Sequence, residues 1–382
     1  EENQSFTRNL KILDDEMSQQ YLQSILLSIA PVFVSGISPV SLRARIYNGI
    51  EPTVLSTSSG EIYLSTSLLS CLRSESELKA LLAIEVAHIY LDHAYVNYRA
   101  AIRAQKRAEF WAGFATVAAA GIEALVATSS ISAGTFTPID YALLGNFTYN
   151  VGFLSYGLAS RAANRLGLEY TAEQRKEALD VAIQLLQRMN LHNDEIAVLF
   201  SRVERYRQSE VPHRRLYQTS NPYAYLFNHV KENFKSLLQP SNLDERDKRF
   251  LRITQVSNLY AIAQEYQDRN YGWGIQLANM YIEEDIAAIE MYFMRNLLLR
   301  QSTRDPKVLR SAMLELETFA SKQKQLPVEL YKEKALIHLH LGEEIKALEA
   351  LRTYQAQLME SGLYLNDPTS LQWAEQWIEA LK

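Results

Sequence analysis

From Ser74 to Ala112 the chain contains neither glycine nor proline, and the stretch opens on a helix-start signal. Ser74 followed by Glu77 is the capping-box pattern: the serine side chain takes a backbone N–H and the glutamate reaches back. A helix is predicted from 75 to about 93, with no breaker before Gly113. What precedes it has a different period. Arg43–Tyr47, 53–56 and Glu61–Ser65 are β-favouring runs separated by Asn48-Gly49 and Ser59-Gly60, which are hairpin signals. Upstream, Met17, Tyr21, Leu22, Ile25, Leu26 and Ile29 recur at helical spacing, so a further amphipathic helix opens the region. The expectation is a small β-sheet with helices around it.

Only 14 glycines and 10 prolines occur in 382 residues, and 47% of the chain is hydrophobic, a balance that favours helix. Residues 129–160 read as irregular, and helices are expected over 172–189 and 193–207. The polar, proline-containing run 239–242 is the best boundary, and almost everything after it reads as helical. The predicted organisation is an α+β domain over 1–238 followed by an all-α domain over 245–382. The chain is therefore mainly helical overall.

A net charge of −5 gives no reason to expect nucleic acid as a partner. The single cysteine, Cys71, excludes a disulfide framework within the chain. Residues 111–128 approach the length of a bilayer span, but they are mostly alanine and glycine around Glu123. A buried core helix is the expectation there, with contact to a membrane surface as the alternative. The start at Glu1, without a leader, fits either a processed, exported chain or one trimmed at its start.

Within the predicted helix, residues 83–88 read Ala-Ile-Glu-Val-Ala-His. Positions i and i+4 share a helix face. Two histidines placed so can hold one zinc, and a glutamate next to the first can polarise the bound water, which is the logic of H-E-x-x-H. Here Glu85 and His88 are present, but Ile84 stands where the first histidine would be. His93 lies five positions on, about 140° around a straight helix, and is not expected to share a metal with His88.

The run from Gly60 through Ile62-Tyr63-Leu64 to Ser74, then Glu85-Val86-Ala87-His88 and His93, resembles the zinc metallopeptidase family of the CAAX prenyl proteases. That family includes the HtpX-type and periplasmic quality-control proteases, and the resemblance covers roughly residues 15–235. It implies a third zinc ligand from a glutamate on a later helix. The matching segment, Arg175-Lys176-Glu177-Ala178-Leu179-Asp180, puts Arg175 or Lys176 at that position according to register. Many members also carry a Thr-His-Pro segment, and 219–222 matches it without the histidine. A cation beside a dication is repulsive. The resemblance is therefore to a degenerate member, with Glu85 a remnant of the general base, His88 a remnant ligand, and no zinc or other cofactor expected. Two alternatives stay open. One is an active zinc metalloendopeptidase with substituted ligands, drawn from Glu173, Glu177, His213 or His229. The other is a structural scaffold whose cleft is closed.

Residues 329–352 resemble a tetratricopeptide repeat, with Leu341-Gly342 at the turn and Ala347 and Ala350 where two helices approach closely. Poorer matches precede them, and such units stack in threes or more. The implied role is protein or peptide binding in a groove, with Tyr271, Trp273, Tyr281, Tyr292 and Phe293 as candidate lining residues. A chaperone-like or adaptor role in a bacterial envelope, periplasmic or otherwise exported, follows from the resemblance; the cytoplasm is the alternative compartment.

Overall fold

The computed structural model describes residues 10–33, 42–57, 59–93, 95–97, 99–100, 170–189, 194–209, 246–323, 326–365 and 368–382. These fall into two compact units, one reaching Arg207 together with 246–247, the other comprising 208–209 and Lys248–Lys382. The architecture is mainly helical, with a small three-stranded sheet in the first unit.

In the first unit, α1 (Glu16–Phe33) is followed by β1 (Arg43–Tyr47), β2 (Val54–Ser56), β3 (Glu61–Ser65) and the single-turn α2 (Thr66–Leu69). The long helix α3 (Glu75–Tyr90) follows, and α4 (Ala172–Arg188) and α5 (Asp194–Ser209) complete the unit. The strand order is β1-β3-β2, with β1 parallel and β2 antiparallel to β3. The expected β2–β3 hairpin is present, turning at Gly60, whose φ of 86° suits a residue without a Cβ. The Asn48-Gly49 pair does not make the second hairpin. Gly49 instead docks on the start of α2: its carbonyl accepts from Ser67 Oγ at 2.7 Å, and its N–H donates to Thr66 Oγ1 at 3.3 Å. A β-carbon on Gly49 would lie 2.5 Å from the buried Tyr47 ring and 3.0 Å from Ser65 Cβ. Close approach of the backbone, not turn geometry, makes this residue glycine.

The outer edge of β1 is closed by two side chains and a short backbone bridge. Gln23 donates to the Leu42 carbonyl and accepts from the Ala44 N–H, both at 3.0 Å. Gln19 bonds the Ile46 N–H and carbonyl in the same way, each at 3.3 Å. The backbone at Ile12 bridges antiparallel to Tyr47 at the far end of the same edge, with the Leu13 N–H on the Ile46 carbonyl and the Asn48 N–H on the Lys11 carbonyl, each at 2.9 Å. The two amides, one helical turn apart, serve the peptide groups before it.

In the second unit, α6 (Lys248–Ile253), α7 (Gln255–Gln267), α8 (Tyr271–Glu283), α9 (Ile289–Ser302), α10 (Pro306–Ala320), α11 (Glu329–His340), α12 (Glu344–Ser361) and α13 (Pro368–Ala380) follow one another. From α7 onward each of these packs mainly on its sequence neighbours. Small residues set the spacing: Ala335 on α11 packs with Ala350 and Leu351 on α12, and the turn between them passes through Gly342 at φ 70°. Gly274 lets α8 approach α9, since a β-carbon there would meet Leu298 at 2.9 Å. A buried bidentate pair ties α9 to α11, with Arg300 donating to Glu333 at 2.7 and 2.9 Å.

Gly49→Ala is expected to cost about 1–3 kcal/mol in urea unfolding, because the Tyr47 ring must move within a packed core. A change below a few tenths would show that the ring has room to yield.

Candidate functional site

The site is built on α3, which is buried from Leu78 to His88. Ser74 caps it, accepting from the Glu77 N–H at 3.1 Å. Glu77 reaches back one residue further than the cap, to the Arg73 N–H at 2.7 Å, and pairs with the buried Arg202 at 2.6 Å. A helix enclosed in this way must find a partner for each polar side chain.

Glu85 finds one on β2, accepting from Ser56 Oγ at 2.8 Å. Tyr170 approaches the same serine, its hydroxyl 2.5 Å from Ser56 Oγ. The Tyr170 ring lies flat on the His88 imidazole, with centroids 3.6 Å apart and planes within 9°. Directly after Tyr170, Thr171 and Gln174 form a complete capping box that starts α4. The Gln174 side chain also exchanges two 3.0 Å bonds with Asn97. This second box is visible in the sequence as Thr-x-x-Gln.

A straight helix would put His93 about 140° around from His88, but the backbone departs from one before it reaches His93. Helix α3 ends at Tyr90, and Asp92 takes the left-handed conformation at φ 55°, which aspartate tolerates better than most residues. After this two-residue break helical structure resumes at His93, with His88 Nδ1 and His93 Nδ1 3.0 Å apart. His93 Nε2 lies 3.3 Å from Glu177 Oε2 on α4. A helical wheel drawn through Leu91 and Asp92 could not show this. The sequence signal available was Leu-Asp-His at the end of an apolar helix.

Ile84 is 3% exposed and carries no lone pair. Of the two register choices on α4, Arg175 is the residue whose charge is felt at both Glu85 and His88, whereas Lys176 is exposed. The Arg175 charge acts on Glu85 against the effect of burial. Among the described residues no set of three His, Cys, Asp or Glu side chains is placed to hold a metal ion. Catalytic zinc takes three protein ligands. The described residues do not by themselves supply such a set. Glu173 is exposed, and Glu177 is held at His93 instead. His213, His229, residues 219–222 and the 111–128 stretch lie outside the described residues. No described helix is long and apolar enough to cross a membrane.

Burial dominates the electrostatics. It pushes the Glu85 carboxyl up to about 7, against the Ser56 bond and the Arg175 charge. It drives His88 well below the usual histidine range, with His93 and Arg175 adding to the effect. His93 is lowered as well, because burial outweighs the pull of Glu177. Both imidazoles are therefore neutral near pH 7.

The aromatic residues proposed for a groove in the second unit are mostly core. Tyr281 is fully buried and its hydroxyl accepts from Asn258, while Trp273 and Phe293 are buried between helices. Tyr292 is nearly buried and stacks on Phe319 with centroids 4.6 Å apart. Only Tyr271 is half-exposed, because aromatics at helical spacing here fill the seams between neighbouring helices.

Residues 54–229 match the family described as Peptidase family M48. The matched span includes β2, β3, α3, α4 and the whole Glu85–His88–Arg175 cluster. Over that span the chain is similar to an M48 peptidase domain. No curated protein matches it.

Because the folded-state value of Glu85 is raised, its contribution to stability is full below 4.5 and is lost as pH rises through about 7. Glu85→Gln keeps an acceptor for Ser56 and removes that loss. Relative to the unsubstituted protein at the same pH, the variant should gain roughly 2–3 kcal/mol between pH 5 and pH 8. Denaturation midpoints at the two pH values measure this; a constant difference would mean that the carboxylate is hydrated.

Proposed function

We propose that this M48-like domain has lost zinc-dependent peptidase chemistry and that the protein works by binding other proteins, as an adaptor or chaperone-like component of a bacterial envelope. The observation that carries the reading is the pairing of Ile84 and Arg175 around His88. One ligand position offers a hydrocarbon, and the other offers a positive charge that is felt at the remaining histidine. Without a metal-bound water of lowered pKa, Glu85 has nothing to activate by the family's route. No cofactor is needed for the binding role. The helical unit Lys248–Lys382 is the surface for protein or peptide partners, on the reading of its helix pairs as tetratricopeptide-like repeats. Nucleic acid is no part of this reading, and membrane contact would fall to residues 111–128.

A second reading has its own support. His93 sits within 3.0 Å of His88, so a substituted ligand set would use it, and a carboxyl near 7 is tuned as general bases are. A closed scaffold is the third reading, supported by the Tyr170 ring lying on His88.

Metal analysis of freshly purified protein, with and without added zinc and beside a casein cleavage assay, separates these. The expected outcome is no zinc and no cleavage in the native chain. Stoichiometric binding should appear in the double variant Ile84→His, Arg175→Glu, with neither single change sufficient. Chelator-sensitive cleavage by the native chain would overturn the proposal in favour of the substituted site.

A further inference from the structure

His93 and Glu177 have no part in the peptide-cleaving chemistry that the domain implies, yet they are joined to His88 by consecutive hydrogen bonds. The proton positions along this chain follow from what each atom is able to do. A carboxylate only accepts, so the proton in the His93–Glu177 bond belongs to His93 Nε2. A neutral imidazole carries a single N–H, so His93 Nδ1 is then a bare acceptor. The 3.0 Å contact between the two Nδ1 atoms is a hydrogen bond only if His88 Nδ1 supplies its proton. His88 is thereby left with an unprotonated Nε2, which makes no hydrogen bond among the described residues. The Tyr170 ring stacked on one face of the imidazole keeps the ring in that plane.

We propose that His93 and Glu177 are positioning residues that lock His88 in its Nδ1–H tautomer. The lock keeps a lone pair permanently presented at Nε2. Free neutral imidazole prefers the opposite tautomer, so the arrangement is imposed by the relay and does not follow from the side chain itself. Its consequence is a definite ligand chemistry. Whatever meets His88 Nε2 is a hydrogen-bond donor, such as a peptide N–H or a hydroxyl, and not a carbonyl or carboxylate. The lock rests on the geometry around the buried His88 and is separate from the partner surface proposed for Lys248–Lys382. It explains why an orienting pair persists beside a histidine whose companion ligand positions hold isoleucine and arginine.

Long-range proton–nitrogen correlation spectra of nitrogen-labelled protein, taken at mildly alkaline pH, report which ring nitrogen carries the proton. The His88 signals are assigned by their loss in His88→Asn. The expected pattern is protonated Nδ1 and bare Nε2 for His88, and the reverse for His93. Glu177 has a side chain 61% exposed, so its replacement leaves the fold intact, which a melting curve verifies. Glu177→Leu should shift His88 towards a mixture of tautomers, while Glu177→Gln, whose amide oxygen still accepts, should keep the native pattern. A protonated Nε2 on His88 in the native chain, or a His88 pattern indifferent to Glu177→Leu, would overturn the lock. This outcome is independent of the metal analysis: zinc in the native protein would sink the degenerate reading, whereas the spectra judge the relay alone.

Discussion

Enclosure of α3 is the constraint from which the first unit follows. Once a helix is buried along most of its length, each polar side chain on it must be answered from a neighbouring element, and each answer pins that element in place. Glu77 draws Arg202 of α5, Glu85 draws Ser56 of β2, and His88 draws His93 and, through it, Glu177 of α4. Three polar positions on one helix thereby fix the sheet edge and two further helices. The apolar core supplies the driving force, and these bonds supply the register.

The same enclosure gives the cluster around Glu85 and His88 a structural reason to hold together. Removing one member of a satisfied buried network leaves its partners desolvated and unpaired, at a cost of about 1–3 kcal/mol for each neutral group. Glu85 and Ser56, or His88 and His93, therefore hold one another in place for reasons of stability alone. Ile84 answers to no such bond. As a buried hydrocarbon it is at home in the core around it.

Much of this was legible in the chain. The Ser74 cap, the three strands, the helix carrying Glu85 and His88, and the helices after residue 245 all have local signatures in period and capping, and they stand where those signatures put them. What was not legible depended on tertiary contact or on a single backbone angle. Asn48-Gly49 has the composition of a hairpin, but Gly49 is needed for its lack of a side chain against Tyr47, and β1 pairs in parallel with β3. Asp92 breaks a helix that has no glycine or proline to announce the break, and so moves His93 from the far side of α3 to the centre of the site. Tyr281 and Trp273 carry the composition of a binding face and the burial of a core, which period alone does not separate.

The glutamine amides on the rim of β1 bear on how the molecule behaves in a crowded solution. A strand rim with free peptide groups is a template, and the natural outcome of two such rims meeting is a sheet that grows from one molecule into the next. Gln19 and Gln23 occupy that template with groups that belong to the same chain and cannot propagate, since a side-chain amide offers no second edge behind it. The three-stranded sheet is thereby terminated on this side by the two amides together with the single backbone bridge at Ile12. A chain that keeps α1 seated keeps its neighbours from polymerising onto it.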